Sequence, residues 1–320
     1  MKKLLFETAI VLLSTSLIVL VLFRSNPGRF IERLNEADKP LDVISLGTSH
    51  GACFIYDKLN VSGQKFNRHG NTLFYDLQHY QYLKPYLADS AIVIVPVSYM
   101  SFGLSENRID TDDTFVNDFY LYLSSDGIHD FSWRKKMAVQ AYQVQKNFRS
   151  LFVLENYEER LEITEEILIE RNRDINEDRL EKMDRQLEFH ARTRVQNHIE
   201  MVEQNRRSQN FDYLKELLTD ALQSGFRPIL VTVPYHRYYH DGFDPRWLAM
   251  NYQRPLKKLS VQLDIPLLSY GTDERFSDRP ELFRNSDHLN EWGSYHFSRI
   301  FFRDLVQMGY LTQEQIGKSQ

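Results

Sequence analysis

The chain has 320 residues, 42% of them hydrophobic, a formal net charge of −5 and a pI near 6.1. That length suits one large domain or two modest ones, and the slight acidic excess excludes a nucleic-acid footprint, which needs clustered Lys and Arg. The single cysteine, Cys53, excludes an internal disulfide and a thiolate-rich metal site.

The N-terminus, MKKLLFETAIVLLSTSLIVLVLFR, sets two lysines before an apolar run from Leu4 to Phe23 that carries one charge, Glu7. The run has the ~20 residues that a membrane-spanning helix needs. Cleavage as a signal peptide near Ser14 or Ser16 would leave LIVLVLF at the new terminus, so residues 1–24 read as an uncleaved anchor. The basic start is expected in the cytoplasm and everything after Arg24 outside, as a single-pass protein of the cell membrane with an extracytoplasmic domain.

Residues 25–40 read as a polar linker with a short helix, and 41–320 as one domain. LDVISLG is a strand of the buried type ending in a turn, NTLFYDLQHYQYLKPYL has helical spacing, and SAIVIVPVSY is a second buried strand. Residues 101–135 are irregular and rich in Asp, Ser and Asn; DTDD at 110–113 reads as a solvated loop rather than a cation site. Residues 154–208 are dense in charge, with Leu, Ile and Met at helical intervals. They mark a helical insertion, about 102–210 in all, with a solvated face and without the sustained heptads of a coiled coil. FDYLKELLTDALQSG is a helix stopped by Gly225. RPILVTVPYH is a third buried strand and IPLLSYG a fourth. Between them lies a helix bent or interrupted at Pro255, and EWGSYHFSRIFFRDLVQMG is the last helix. Alternating strands and helices, with strands apolar throughout, predict an α/β fold with a parallel sheet covered on both faces. Such a sheet presents its ligand site at the C-terminal ends of its strands.

Those ends collect the polar residues: Ser49 in the pentapeptide GTSHG, Ser98 to Ser101, His236, and the loop before His288. A serine hydroxyl needs a base to take its proton, usually a histidine held in one tautomer by a third group. Most of the ten histidines are poorly placed for this. His50 adjoins Ser49 and is expected to point elsewhere; His69 and His79 go with the first helix, His190 and His198 with the charged insertion. His288, in FRNSDHLNEWG, precedes the final helix, which Asn290 can cap. This puts it at the same sheet edge as Ser49. Gly-x-Ser-x-Gly is also the nucleophile elbow of α/β-hydrolases, but there several strands precede the serine, and here only one does.

LGTSHG near the start and SDHLNEWG near the end, in that order, resemble the SGNH/GDSL hydrolase superfamily. The nearest likeness is to its membrane-anchored bacterial members of cell-surface polymer modification, among them the D-alanyl transfer proteins of teichoic acid synthesis and the alginate O-acetylation proteins. The resemblance spans residues 41–101 and 226–310 and implies a flavodoxin-like three-layer sandwich. It implies Ser49 as nucleophile and oxyanion donor through its own N–H, and His288 as base. Gly70, in NRHGNT, matches a second oxyanion glycine, with a plain turn glycine as the alternative. The family's further Asn is missing from VPVSYMSF, where Ser98 or a backbone N–H would substitute. Three residues before His288, where the family has Asp, stands Asn285; Asp287 adjoins the histidine. Asn285 is expected to orient the ring and Asp287, the runner-up, to sit beside the last helix's N-terminus.

The implied activity is a serine esterase or O-acyltransferase without metal or cofactor. Its substrate would be a cell-surface glycan or other envelope polymer, with a membrane-bound partner supplying the acyl group. A weak or inactive member that binds the polymer or docks an assembly through the insertion is the alternative. His236 and His240, with Asp241, could bind a metal at helical spacing, but YHRYYH follows a strand and Pro234; a substrate-contact loop offering Tyr235 and His236 is the better reading.

Overall fold

The computed structural model describes residues 29–57, 59–104, 117–150, 165–173, 175–205 and 209–317. Residues 1–24, expected to span the membrane, and DTDD at 110–113 lie outside these, and among the described residues no helix is long and apolar enough to cross a membrane. The chain divides into two compact units, one formed by residues 37–109 and 163–320, the other by 1–36 and 110–162.

The larger unit is built on five parallel strands: β1 (Leu41–Ser45), β2 (Gly63–Lys65), β3 (Leu87–Pro96), β4 (Arg227–Thr232) and β5 (Leu267–Ser269). Their order is β2-β1-β3-β4-β5 and every pairing is parallel. That is the doubly wound order of flavodoxin-like sheets, whose ligand site lies where the order reverses, here between β1 and β3. Val43, Ile44, Val93, Ile94, Ile229, Leu230 and Val231 are buried. β-branched and leucine side chains on both faces make each central strand a continuous apolar run, as sequence reading expected. β2 was not expected. Its GQK is polar and half-buried because it is an edge strand, and hydrophobicity has no signal there.

The helices of this unit include α1 (Leu73–Leu83), α2 (Glu177–Gln204), α3 (Asn210–Gln223), α4 (Arg254–Leu263) and α5 (Glu291–Gln307). Thr72 caps α1 by accepting from the Tyr75 N–H. α2, in the insertion, buries one stripe, Leu187, Ala191, Val195, His198 and Val202, with charge elsewhere, as expected of a solvated helix. The helix expected across Pro255 is interrupted there, as expected: α-helical Pro245–Leu248 passes without a break into a π-helical stretch, Ala249–Gln253, and α-helix resumes as α4 with Pro255 at its second position.

The approach to α5 is not a plain loop. β6 (Phe283–Asn285) and β7 (His288–Leu289) pair antiparallel, with Asn285 opposite His288 and Ser286-Asp287 as the turn. Asn290 caps α5, accepting from the Gly293 N–H at 2.9 Å, and donates to the Glu281 carbonyl at 2.7 Å. It thereby fastens the hairpin to the helix.

In the smaller unit, helix Arg29–Glu36 buries Phe30 and Leu34, and Phe30 stacks on Tyr122 at 4.5 Å. This is the short helix expected within residues 25–40, and it packs one apolar face. Residues 117–150 supply the rest, with Phe119, Tyr120, Leu123, Ile128 and Val139 buried.

Candidate active site

β1 ends at Ser45, and the chain turns through Gly47, whose φ of +96° a side chain rarely adopts. A Cβ at Gly51 would meet the Leu46 carbonyl at 2.5 Å. Both glycines of the pentapeptide are thus required by the turn that presents Ser49. Thr48 accepts from the His50 N–H at 3.3 Å and caps the 3-10 turn Ser49–Cys53. Buried Asp76 accepts from the Gly47 N–H at 2.8 Å and from Asn71 Nδ2 at 2.6 Å. Burial pushes its carboxyl up to about 7, against the pull of those two donors.

Ser49 Oγ lies 2.8 Å from His288 Nε2, joining positions 239 residues apart. On the other side of the ring, Nδ1 is 3.0 Å from Asn285 Oδ1, and Asp287 Oδ1 is 3.2 Å from the same nitrogen. With two acceptors facing it, Nδ1 carries the proton, and Nε2 is left to accept from the serine. The Asp287 backbone N–H also points at Asn285 Oδ1, at 3.3 Å, a turn bond that holds the amide in place.

Asp287 does not sit beside the helix N-terminus as expected. Its carboxylate is fully buried and held by a fork from Arg194 of α2, Nη2 to Oδ2 at 2.6 Å and Nε to Oδ1 at 3.2 Å. The tight turn folds it back beneath the ring, and a cation from the insertion makes its burial tolerable. Burial alone would raise this carboxyl, but hydrogen bonding from His288 and His50 holds it well below the usual carboxylate range.

His50 does not point away. Its ring meets the His288 ring edge-on, centroids 4.4 Å apart, with Nε2 3.4 Å from Asp287 Oδ2 and Nδ1 3.3 Å from the Tyr235 hydroxyl. Burial, helped by the neighbouring His288, lowers it to about 4, so it is neutral at pH 7.

Tyr235 and His236 are corrections. Both side chains are fully buried, so neither is open to a substrate. Tyr235 supports His50, while His236 lies with Nε2 3.5 Å from Asp184 Oδ1 and donates its backbone N–H to Ser286 at 3.1 Å, fastening the hairpin turn to the end of β4. A proline and two aromatic-type rings after a strand marked an inward plug rather than a loop. Ser98 is closed on Ser101, its N–H donating to that hydroxyl at 2.9 Å and the two hydroxyls 2.9 Å apart, so its hydrogen bonds do not reach Ser49.

Gly70 stands in an exposed turn with φ +68°. That turn is tied to the serine turn twice, by Arg68 N–H to the Gly47 carbonyl at 3.0 Å and by the Asp76 bridge between Gly47 and Asn71. Among the described residues neither the Ser49 nor the Gly70 N–H has an acceptor.

His50, Asp287 and His288 bring ligating atoms within 4.8 Å of one another. The set does not fit a metal ion, because the Arg194 guanidinium already occupies the only carboxylate and would repel a second cation. His240 is engaged by the Tyr99 hydroxyl at 2.7 Å and, among the described residues, joins no such group with His236. An open groove of about 730 Å³ runs beside β6, lined by Lys182, Arg185, Phe189, Phe283 and Arg284 among others.

Sequence reading missed Arg194, His50 and Asp76. Arg194 flanks the buried stripe of α2, three residues after Ala191 and four before His198, but nothing local sets it apart from the solvated cations of that helix.

No protein-family profile and no curated protein matches the chain. Among solved structures, it is similar to a candidate acylhydrolase from Bacteroides fragilis NCTC 9343, at 12% identity and a TM-score of 0.43, over 88% of this chain and 96% of that one. A likeness at that level carries no weight for the chemistry, which rests on the side chains.

Proposed function

We propose that the chain is a serine esterase or O-acyltransferase of SGNH type, anchored in the cell membrane by residues 1–24, that modifies a cell-surface glycan or other envelope polymer. The carrying observation is the 2.8 Å contact between Ser49 Oγ and His288 Nε2, with Asn285 fixing Nδ1, beside the point where the strand order reverses. Ser49 Oγ attacks the acyl carbonyl while His288 Nε2 takes its proton. The oxyanion is received by the N–H groups of Ser49 and Gly70. His288 returns the proton to the leaving oxygen, and an acyl ester forms on Ser49. A glycan hydroxyl, or water, gives its proton to His288 and attacks that ester, and as the acyl–Oγ bond breaks His288 returns the proton to Ser49 Oγ, freeing the serine. Asn285 supplies orientation without charge; Asp287 supplies charge toward the imidazolium, already shared with Arg194. The groove beside β6 suits an extended acceptor chain, and a membrane-bound partner would deliver the acyl group.

A fluorophosphonate tests this, since it reacts only with an activated serine. The intact chain should label, Ser49→Ala should not, and the labelled protein should lose hydrolysis of a small activated ester. Unlabelled, folded wild-type protein would assign the chain to the alternative, a binding or assembly member of the same fold.

A further inference from the structure

The helix Trp133–Ser150 of the smaller unit is built inside out. Among its described side chains, Trp133, Arg134, Met137, Ala138, Ala141, Tyr142 and Gln145 are exposed, and they fall on one continuous face. Trp133 is 69% exposed and Met137 and Tyr142 are each 65% exposed. Val139 and Gln143 point inward, and Lys135 and Lys136 are half-buried. A water-facing helix shows the reverse. WRKKMAVQAYQVQKNFRS also holds five Lys and Arg and no Asp or Glu, in a chain of net charge −5. The cations lie among the rings, Lys136 Nζ 5.6 Å from the Trp133 centroid and Lys135 Nζ 5.7 Å from that of Tyr120. Aromatic rings with basic neighbours and no acids are the composition of helices that lie in a lipid headgroup layer.

The place in the chain agrees. From Phe23 to Arg29 is six residues, a reach of at most ~20 Å. Phe30 stacks on Tyr122 at 4.5 Å; two residues before it, Tyr120 stacks on Phe131 at 5.5 Å, and Phe131 meets Trp133 edge-on at 5.1 Å. If residues 4–23 cross the bilayer, the start of this aromatic series is held close to its surface.

We infer that the outer face of this helix rests in the headgroup layer of the bilayer that holds the anchor. Trp133, Met137 and Tyr142 reach the upper acyl chains, and Arg134, Lys135 and Lys136 meet anionic lipid phosphates. The inference rests on the membrane-anchored reading above.

The test is the full chain reconstituted into vesicles of phosphatidylcholine and phosphatidylglycerol with brominated acyl chains. The protein has three tryptophans. Bromine should quench a component of the emission that disappears in Trp133→Phe, a conservative change at an exposed site, and that component should fall at least twofold when phosphatidylglycerol is left out. Equal quenching of wild type and Trp133→Phe overturns the inference, as do crosslinks through this face to a second copy. Flotation after an alkaline wash separates the failures. Protein that does not float lacks the anchor, and both readings fall. Protein that floats without a quenched Trp133 component removes only this inference.

Discussion

Replacing Arg194 with methionine keeps the aliphatic length of the side chain and removes the charge that holds Asp287. The carboxylate is fully buried and the Arg194 side chain is 32% exposed. Removing one partner of a buried pair costs ~3–5 kcal/mol; water reaching the vacated edge offsets part of this, leaving about 2 kcal/mol at pH 7. The sign with pH follows from Asp287, whose folded carboxyl is held well below the usual range, burial being outweighed by its hydrogen bonds. Such a group stabilises the fold above the unfolded carboxylate pKa of ~3.9 and loses that contribution as pH falls through its folded value. The deficit of Arg194→Met should therefore be full at pH 7 and shrink below about pH 4. Urea unfolding of the full chain in detergent, followed by tryptophan fluorescence at descending pH, measures it. A deficit no larger than the ~0.5 kcal/mol of an exposed pair, or one constant across pH, would refute the reasoning.

Two further outcomes follow from the same geometry. Ser49→Ala and His288→Ala should each remove nearly all esterase activity and the double variant little more, because the two side chains act as one unit at 2.8 Å; multiplicative losses in kcat/KM would separate them. Asp76, pushed up to about 7 by burial, should favour the fold in its protonated form, a contribution full below the ordinary 3.8 and lost as pH rises toward 7. Asp76→Asn still accepts from Gly47, so its urea midpoint should lack the wild-type decline over that window; parallel curves would show that Asp76 does not titrate there.

The central strands were legible because burial on both faces leaves a continuous apolar run, as in the IVIV of β3. Ser49 and His288 were legible from order and place, since parallel strands send their following turns to one edge. Asn285 was legible only through the resemblance, as the residue standing where that pattern has its acid. Arg194 was not, because a contact 93 residues away along the chain has no local trace, and a cation in a charged helix reads as a solvated one. Tyr235 and His236 misled for a related reason: polar atoms on large rings suggest a surface, yet in a packed interior the ring area decides. His50 was set aside on the rule that neighbours diverge, which holds for strands; a 3-10 turn beginning at Ser49 sends the next side chain inward.

The two-residue turn between Asn285 and His288 separates what can vary at this site from what cannot. The residues face each other because the hairpin pairs them, whatever their chemistry, so position 285 can trade amide for acid and keep its aim. The count between them has no such latitude. One added residue would slip the register, and successive side chains in a strand point to opposite faces. The orienting group would then be on the far side of the ribbon from the imidazole. Identity at this pair is a tuning variable, while the spacing behaves like a gear ratio, set in whole teeth.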